Sequence, residues 1–264
     1  DFKYIYPVLS RRAEGISIGV NLNTNNACNW RCIYCQVTDL IRAKPEKIEL
    51  EQLEYELDFL LQEIVYGNFI QDYAPNNLAK LNDISISGNG EPTLSEQFFA
   101  VCQIIVKLKA KYQLQMVKII LISNGSNMKN SPIQDGLRLI NNHNGEIWFK
   151  IDSVTTDGCN QINQVNLSTT QILSNLTMAS SLCTTWIQSC FFINNDIFPS
   201  DNEISQYIQF MIEVSDMIKG VLLYTIARPP ALVEGQNLQP VTKEFLQTIA
   251  LPLENNQILV KCYV

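Results

Sequence analysis

The sequence predicts an α/β fold: a partial (β/α)6 barrel of TIM type, with parallel strands inside and helices outside. Three observations point there. Strand-like and helix-like stretches alternate along the chain as six βα units, with no internal repeat or flexible linker between them. Within the strands one face is apolar and the other polar, as in Ile16, Ile18, Val20 and Leu22 against Ser17, Gly19, Asn21 and Asn23. A parallel strand buried on both faces is apolar throughout, so this alternation implies a curled sheet around a polar cavity. The polar motifs also follow the strands' C-terminal ends, where barrel active sites sit. The expected unit is one domain spanning residues 1–264, with 1–15 as an N-terminal extension and 241–264 as a C-terminal helix and strand.

The first strand is expected at Ile16 to Leu22, followed by a cysteine-rich loop. Leu50, Leu53, Leu57, Leu60, Leu61 and Ile64 recur at helical spacing, and Gly67 ends that helix. Asp83 to Ser87 alternates as the second strand and runs into Gly88-Asn89-Gly90-Glu91-Pro92-Thr93. Phe98, Val101, Ile105 and Leu108 mark a helix, and Met116 to Ile122 a strand that leads to Ser123-Asn124-Gly125. Ser131-Pro132-Ile133-Gln134 reads as a helix start with Ser131 as N-cap. Glu146 to Asp152 is a strand whose apolar Ile147, Phe149 and Ile151 oppose Glu146, Trp148, Lys150 and Asp152. Ser168 to Gln171 and Ser200 to Glu203 are capping boxes that open helices before and after a long strand, Thr184 to Ile193. Val221 to Ala227 is the sixth strand, ending in Arg228-Pro229-Pro230. Thr242 caps a last helix, and Ile258 to Val264 is a seventh strand.

Composition narrows the function. The net charge of −7 disfavours a nonspecific grip on nucleic acid. No apolar run approaches the ~18 residues that span a membrane. Ser10-Arg11-Arg12 looks like a twin-arginine signal, but Ala13-Glu14-Gly15 follows in place of an apolar region. The one histidine, His143, lies in a polar turn, which speaks against a His-based triad and excludes a His-rich metal site. The chain reads as a protein of a reducing compartment, the cytoplasm.

Three of the eight cysteines, Cys28, Cys32 and Cys35, fall within eight residues as C-x3-C-x2-C. Thiolates this dense, without a sign of secretion, suggest metal before disulfide. Structural zinc sites and ordinary ferredoxin clusters take four protein ligands. Three thiolates would leave one iron of a cubane cluster open, and an open metal position is where substrate chemistry occurs. A zinc loop or a chance cluster is the plain alternative.

Cys28, Cys32, Tyr34 and Cys35, as C-x3-C-x-aromatic-C after the first strand, resemble the radical S-adenosylmethionine (SAM) superfamily. The resemblance implies the radical SAM core fold. It also implies a [4Fe–4S] cluster on the three cysteines, with SAM on the open iron and Tyr34 beside it. Such a cluster splits SAM reductively to methionine and a 5′-deoxyadenosyl radical that takes hydrogen from a substrate. An electron donor of flavodoxin or ferredoxin type is implied as partner. Gly88, Asn89, Gly90, Glu91 and Pro92 match the superfamily's Gly-Gly-Glu-like element at the end of the second strand, which meets the SAM amino group. Glycine permits the close approach, and a carboxylate accepts from an ammonium. Ser123, Asn124, Lys150 and Asp152 stand at the next strand ends as further SAM contacts, with an inward structural ion pair as the alternative for Lys150 and Asp152. Lys150, Gln188 and Arg228 are the candidate catalytic residues. The alternative for Gln188 is a satisfied core amide, and for Arg228 the partner of a structural acid.

Longer strings resemble one branch, the wyosine-tRNA-synthase-like radical SAM proteins: Ser10-Arg11-Arg12, Ser87 to Leu94, Lys150-Ile151-Asp152, and Tyr224 to Pro230. The chain departs from wyosine synthase in having no cysteine ahead of Cys28 for a second cluster, and in its acidic charge. Cys102, Cys159, Cys183, Cys190 and Cys262 are scattered, and read as buried free cysteines or as an auxiliary cluster. The leading expectation is a radical SAM enzyme acting on a small molecule, peptide or nucleoside. The alternatives are a tRNA-modifying enzyme of the wyosine-synthase type, a glycyl-radical activating enzyme, and a non-enzymatic iron–sulfur or zinc protein. For tRNA the basic candidates are Lys107, Lys109 and Lys111 at a helix end, and Arg42, Lys44 and Lys47 after the cysteine loop.

Overall fold

The computed structural model describes residues 2–10, 15–74 and 79–264. Arg11 and Arg12 of the Ser10-Arg11-Arg12 string lie outside them. The strands are β1 (Ile5–Ser10), β2 (Gly15–Val20), β3 (Leu81–Ile86), β4 (Lys118–Ser123), β5 (Gly145–Lys150), β6 (Thr185–Asn194), β7 (Gly220–Thr225), β8 (Leu238–Pro240) and β9 (Val260–Tyr263). The helices are α1 (Leu50–Tyr66), α2 (Phe69–Tyr73), α3 (Phe98–Lys111), α4 (Ser131–Asn141), α5 (Thr156–Asn163), α6 (Thr169–Leu182), α7 (Asp201–Glu213) and α8 (Lys243–Asn255).

One sheet runs in the order β1-β2-β3-β4-β5-β6-β7-β9. All its pairs from β2 to β9 are parallel, and β1 joins β2 antiparallel. The expected partial barrel is present, a curled half-barrel of mostly parallel strands. Its outer face carries Ile18, Val20, Ile84, Ile86, Ile147 and Phe149 into the core shared with α1, α3, α4 and α6. Its inner face carries Ser17, Gly19, Ser85, Ser87, Trp148 and Lys150 to a cavity of about 470 Å³. Part of the inner face is apolar: Ile120, Trp148, Trp186 and Leu222 pack as a patch. No helix among the described residues is long and apolar enough to cross a membrane.

Four elements add to the sequence reading. Residues 5–10 of the supposed extension form β1, held to α1 because Glu56 accepts from the amides of Lys3, Tyr4 and Ile5 at 3.0, 2.8 and 3.3 Å. Tyr6 crosses β2 over Gly19, where a Cβ would come within 2.1 Å of its ring, and its hydroxyl donates to the carbonyl of Ser87. The others are the short α2, the three-residue β8 that pairs antiparallel with β6, and α5, which Thr155 caps by accepting from Gly158 N.

Two cap assignments change. Asn130, not Ser131, takes the N-cap position of α4, so Ser131 and Pro132 already lie in its first turn. At α7 only half of the capping box forms: Ser200 accepts from Glu203 N, but the Glu203 carboxylate accepts instead from Ser153 and Thr155. The box at Ser168–Gln171 and the Thr242 cap form as expected.

Candidate functional site

The cysteine loop leaves β2 and crosses the open end of the half-barrel. Its start is closed by main-chain bonds from Cys28 N to Ile41 O (3.0 Å) and from Ile41 N to Asn26 O (3.0 Å). Its far end is tied down by Arg31 N to Asn163 O (3.0 Å), Ile33 N to Ile162 O (2.9 Å) and Ala231 N to Cys35 O (2.8 Å). Arg31 also forms an ion pair with Glu234 at 2.9 Å. Ile33 and Tyr34 pack against Cys190, Phe192 and Leu238, so the loop spans from β2 to β6 and β8.

The Gly88–Glu91 turn after β3 lies against the start of this loop. A Cβ on Gly90 would sit 2.0 Å from the carbonyl oxygen of Ala27, the residue before Cys28; one on Gly88 would sit 2.4 Å from Asn21 Oδ1. Only glycine permits that approach. Asparagines stitch the two segments. Asn23 Nδ2 donates to Ala27 O (2.9 Å) and Glu91 O (3.2 Å), and Asn89 Nδ2 donates to Asn26 Oδ1 (2.9 Å).

Glu91 is buried and points into the protein. Its Oε1 accepts from Thr93 N (3.1 Å), Thr93 Oγ1 (2.6 Å) and Ser123 Oγ (2.7 Å), and its Oε2 from Asn124 N (2.6 Å). Burial pushes its pKa up, opposed by these donors. The carboxylate thereby joins the β3 turn to Ser123 and Asn124 at the end of β4. Asn124 Nδ2 in turn donates to Asn29 Oδ1 on the cysteine loop at 2.9 Å. Pro92 opens the short 3-10 turn that follows.

Lys150, Asp152 and Tyr34 meet on the other side. Tyr34 Oη donates to Asp152 Oδ2 at 2.5 Å, Lys150 Nζ donates to Tyr34 Oη at 2.5 Å, and Lys150 Nζ lies 4.0 Å from Asp152 Oδ2. Lys150 also donates to Tyr224 Oη at 3.4 Å and sits 4.8 Å from the centre of the Tyr34 ring. Burial works against its charge, but Asp152, with Tyr224, holds its pKa well above the usual lysine value. Asp152 Oδ1 accepts from Cys190 N at 3.0 Å. Lys150 and Tyr34 both line the cavity.

The three motif cysteines are free and half-buried. Burial raises the Cys28 thiol to about 12, helped by Glu91. It raises Cys32 to about 11, against the pull of Lys150. Among the described residues no three His, Cys, Asp or Glu side chains converge on a single ion. Three free thiols within eight residues are soft donors of the kind that bind zinc or iron–sulfur clusters. Of the other cysteines, Cys102 and Cys159 lie on α3 and α5, Cys183 and Cys190 before and within β6, and Cys262 on β9.

Two candidates stand apart. Gln188 pairs in register with Lys150 on the inner face of β6, but it is buried, and its Oε1 has no partner among the described residues. Arg228 is exposed at the cavity rim, with its main-chain carbonyl accepting from Gln36 Nε2 at 3.4 Å. Asn163 joins the site, as do Cys190 and Tyr224, which the sequence offers only among the scattered cysteines and in the Tyr224 to Pro230 string. The inward position of Cys190 follows from the period-two alternation through Gln188; Asn163 carries no such signal.

A half-barrel with a three-cysteine loop over its open end and a glycine turn beside it has the fold of the radical SAM enzymes, which bears out the resemblance read from Cys28 to Cys35. No family model matches the chain. It is 28% identical over 240 residues to a UPF0026 protein of Helicobacter pylori, covering 88% of this chain and 70% of that one. Among solved structures it is similar to a radical SAM methyltransferase from Sphaerobacter thermophilus, with a TM-score of 0.64 and 11% identity over 98% of this chain and 68% of the other. It is also similar to TYW1 with a lysine-pyruvate adduct bound, with a TM-score of 0.57 and 15% identity over 92% and 74% of the two chains.

Proposed function

We propose that the protein is a radical SAM enzyme, one domain over residues 1–264, in which Cys28, Cys32 and Cys35 hold a [4Fe–4S] cluster and SAM takes the open iron. The observation that carries this reading is the pairing of three free thiols with the Gly88–Glu91 turn, packed within 2.0 Å of a would-be Cβ, above a cavity. When bound, the cluster supplies the electron that splits SAM to methionine and a hydrogen-abstracting 5′-deoxyadenosyl radical. The chain's residues position and enclose. The turn of Gly88, Asn89 and Gly90 would hold the amino acid moiety of SAM, and Glu91 fixes that turn from behind. Ser123 and Asn124 hold the Glu91 carboxylate and so brace the turn. The Tyr34–Phe192 contact, with ring centres 5.7 Å apart, and the Arg31–Glu234 pair tie the far end of the cysteine loop to β6 and to Glu234. Lys150, held charged by Asp152, and Arg228 at the rim face the cavity and suit a substrate carrying negative charge.

The substrate class that fits best is a small molecule, peptide or nucleoside. The basic candidates for tRNA lie beside acids: Lys107 pairs with Glu54 and Lys111 with Asp58. Lys109 is buried, Lys44 lies 3.9 Å from Glu96, and Arg42 donates to Gln164 O. The free cysteines suit a reducing compartment, where a flavodoxin or ferredoxin would supply the electron.

The test is anaerobic reconstitution with iron and sulfide, then reduction by dithionite with SAM. The expected products are 5′-deoxyadenosine and methionine, and Cys32→Ala abolishes both cluster and turnover. A brown protein that never cleaves SAM, or a Cys32→Ala variant with a full cluster, contradicts the reading.

A further inference from the structure

We infer that Asn163 is a positioning residue that holds an N–H on the Cys32 sulfur and so sets the reduction potential of a cluster bound there. The inference rests on the ligand reading above. Asn163 ends α5 and is 1% exposed. Its Nδ2 lies 3.2 Å from Cys32 Sγ and 2.7 Å from Asp152 Oδ2. Carboxylate and sulfur both accept, so the NH2 side of the amide must face them; the flipped amide would set oxygen against oxygen. Its Oδ1 is buried with no partner among the described residues, so no competing bond draws the amide away.

The donor is fixed on every side. Asp152 holds Asn163 from behind and is itself held by Tyr34 Oη and Cys190 N. The end of α5 also brackets Cys32 along the chain: Asn163 O accepts from Arg31 N and Ile162 O from Ile33 N, the residues on either side of it. An N–H aimed at a ligand sulfur stabilises the extra negative charge of the reduced cluster, which raises its potential. Because the bond is buried, water cannot replace it once the donor is removed.

The experiment is an EPR-monitored redox titration of the reconstituted protein without SAM, comparing wild type with Asn163→Leu and Asn163→Ala. Both variants remove the donor, and the first also keeps the size of the side chain. The midpoint should move to a more negative value in each, with a roughly tenfold change in the oxidised-to-reduced ratio at fixed poise (~59 mV for one electron). Iron content should match wild type. Variants with full clusters and the wild-type potential overturn the inference, since a purely structural asparagine would leave the potential unmoved. If neither variant folds, the wild-type protein labelled with 15N asparagine decides: a hyperfine coupling from a side-chain amide nitrogen to the reduced cluster supports the bond, and its absence refutes it. A wild-type protein that takes up no cluster refutes the ligand reading, and this inference with it, which is a different result from a cluster of unchanged potential.

Discussion

Tyr34 Oη donates to Asp152 Oδ2 over 2.5 Å, joining the cysteine loop to the end of β5 across 118 positions of sequence. The bond is buried and shares its acceptor with Asn163, so Asp152 organises both the aromatic of the motif and the donor to Cys32. Tyr34→Phe removes the hydroxyl but keeps the ring on Phe192. It leaves Lys150 with one bonding partner fewer in the buried pair. The expected cost is about 1–3 kcal/mol of stability, read as a lower denaturant midpoint with unchanged slope.

Gly90→Ala should separate the two loops. The added methyl would meet the Ala27 carbonyl at 2.0 Å, a backbone atom that cannot rotate away. The main damage falls on cluster uptake, because Ala27 precedes Cys28. Iron per chain after reconstitution should fall well below wild type while the far-UV circular dichroism stays native.

Glu91→Gln tests whether that carboxylate works through position rather than chemistry. Its two oxygens accept four hydrogen bonds from Thr93, Ser123 and Asn124. A carboxamide must turn its NH2 toward one of those donors, leaving at least one buried N–H or O–H unsatisfied. A loss of about 1–3 kcal/mol is expected, with the melting temperature falling in protein that carries no cluster. A stability equal to wild type would exclude the positioning role.

Lys109 supplies a pH prediction unrelated to the site. It is buried on α3, and its Nζ donates to the carbonyls of Val117 and His143. Burial lowers its pKa to about 8 from 10.5. A neutral amine still has the two N–H bonds those carbonyls need. Between pH 8 and 10.5 the unfolded chain binds a proton that the folded chain has lost. Stability from this group therefore rises with pH across that window, by up to about 1.4 kcal/mol per unit, and its penalty is complete below pH 8. Lys109→Met should lack this rise when denaturant midpoints at pH 7.5 and 9.5 are compared, a choice of about one and a half units inside the window.

Much of this molecule is legible in its sequence. The seven expected strands all form, and in β2, β3 and β5 the period of two marks the face that is buried against helices. β1 escaped notice because Pro7 interrupts it, and proline is tolerated there only because β1 is an edge strand. α5 has the sequence TDGCNQIN, with no apolar stripe to reveal it; its Thr155 cap is its signature. In the site, the spacing of Cys28, Cys32 and Cys35 and the glycines of the β3 turn were readable because both are local patterns. Glu91 looked like a ligand for an ammonium, but the fold surrounds it with donors of its own. Asn163 was hidden because its meeting with Cys32 depends on where α5 ends, which no local pattern encodes.

The proposed cluster, held by three thiols with one iron left open for SAM, is tested most directly by the EPR spectrum of the dithionite-reduced, reconstituted protein before and after SAM is added. A spectrum whose g-values shift on adding SAM, with loss of the signal in Cys28→Ala, Cys32→Ala and Cys35→Ala, is the predicted result. A cluster signal that SAM leaves unchanged, or that survives in those variants, would contradict it.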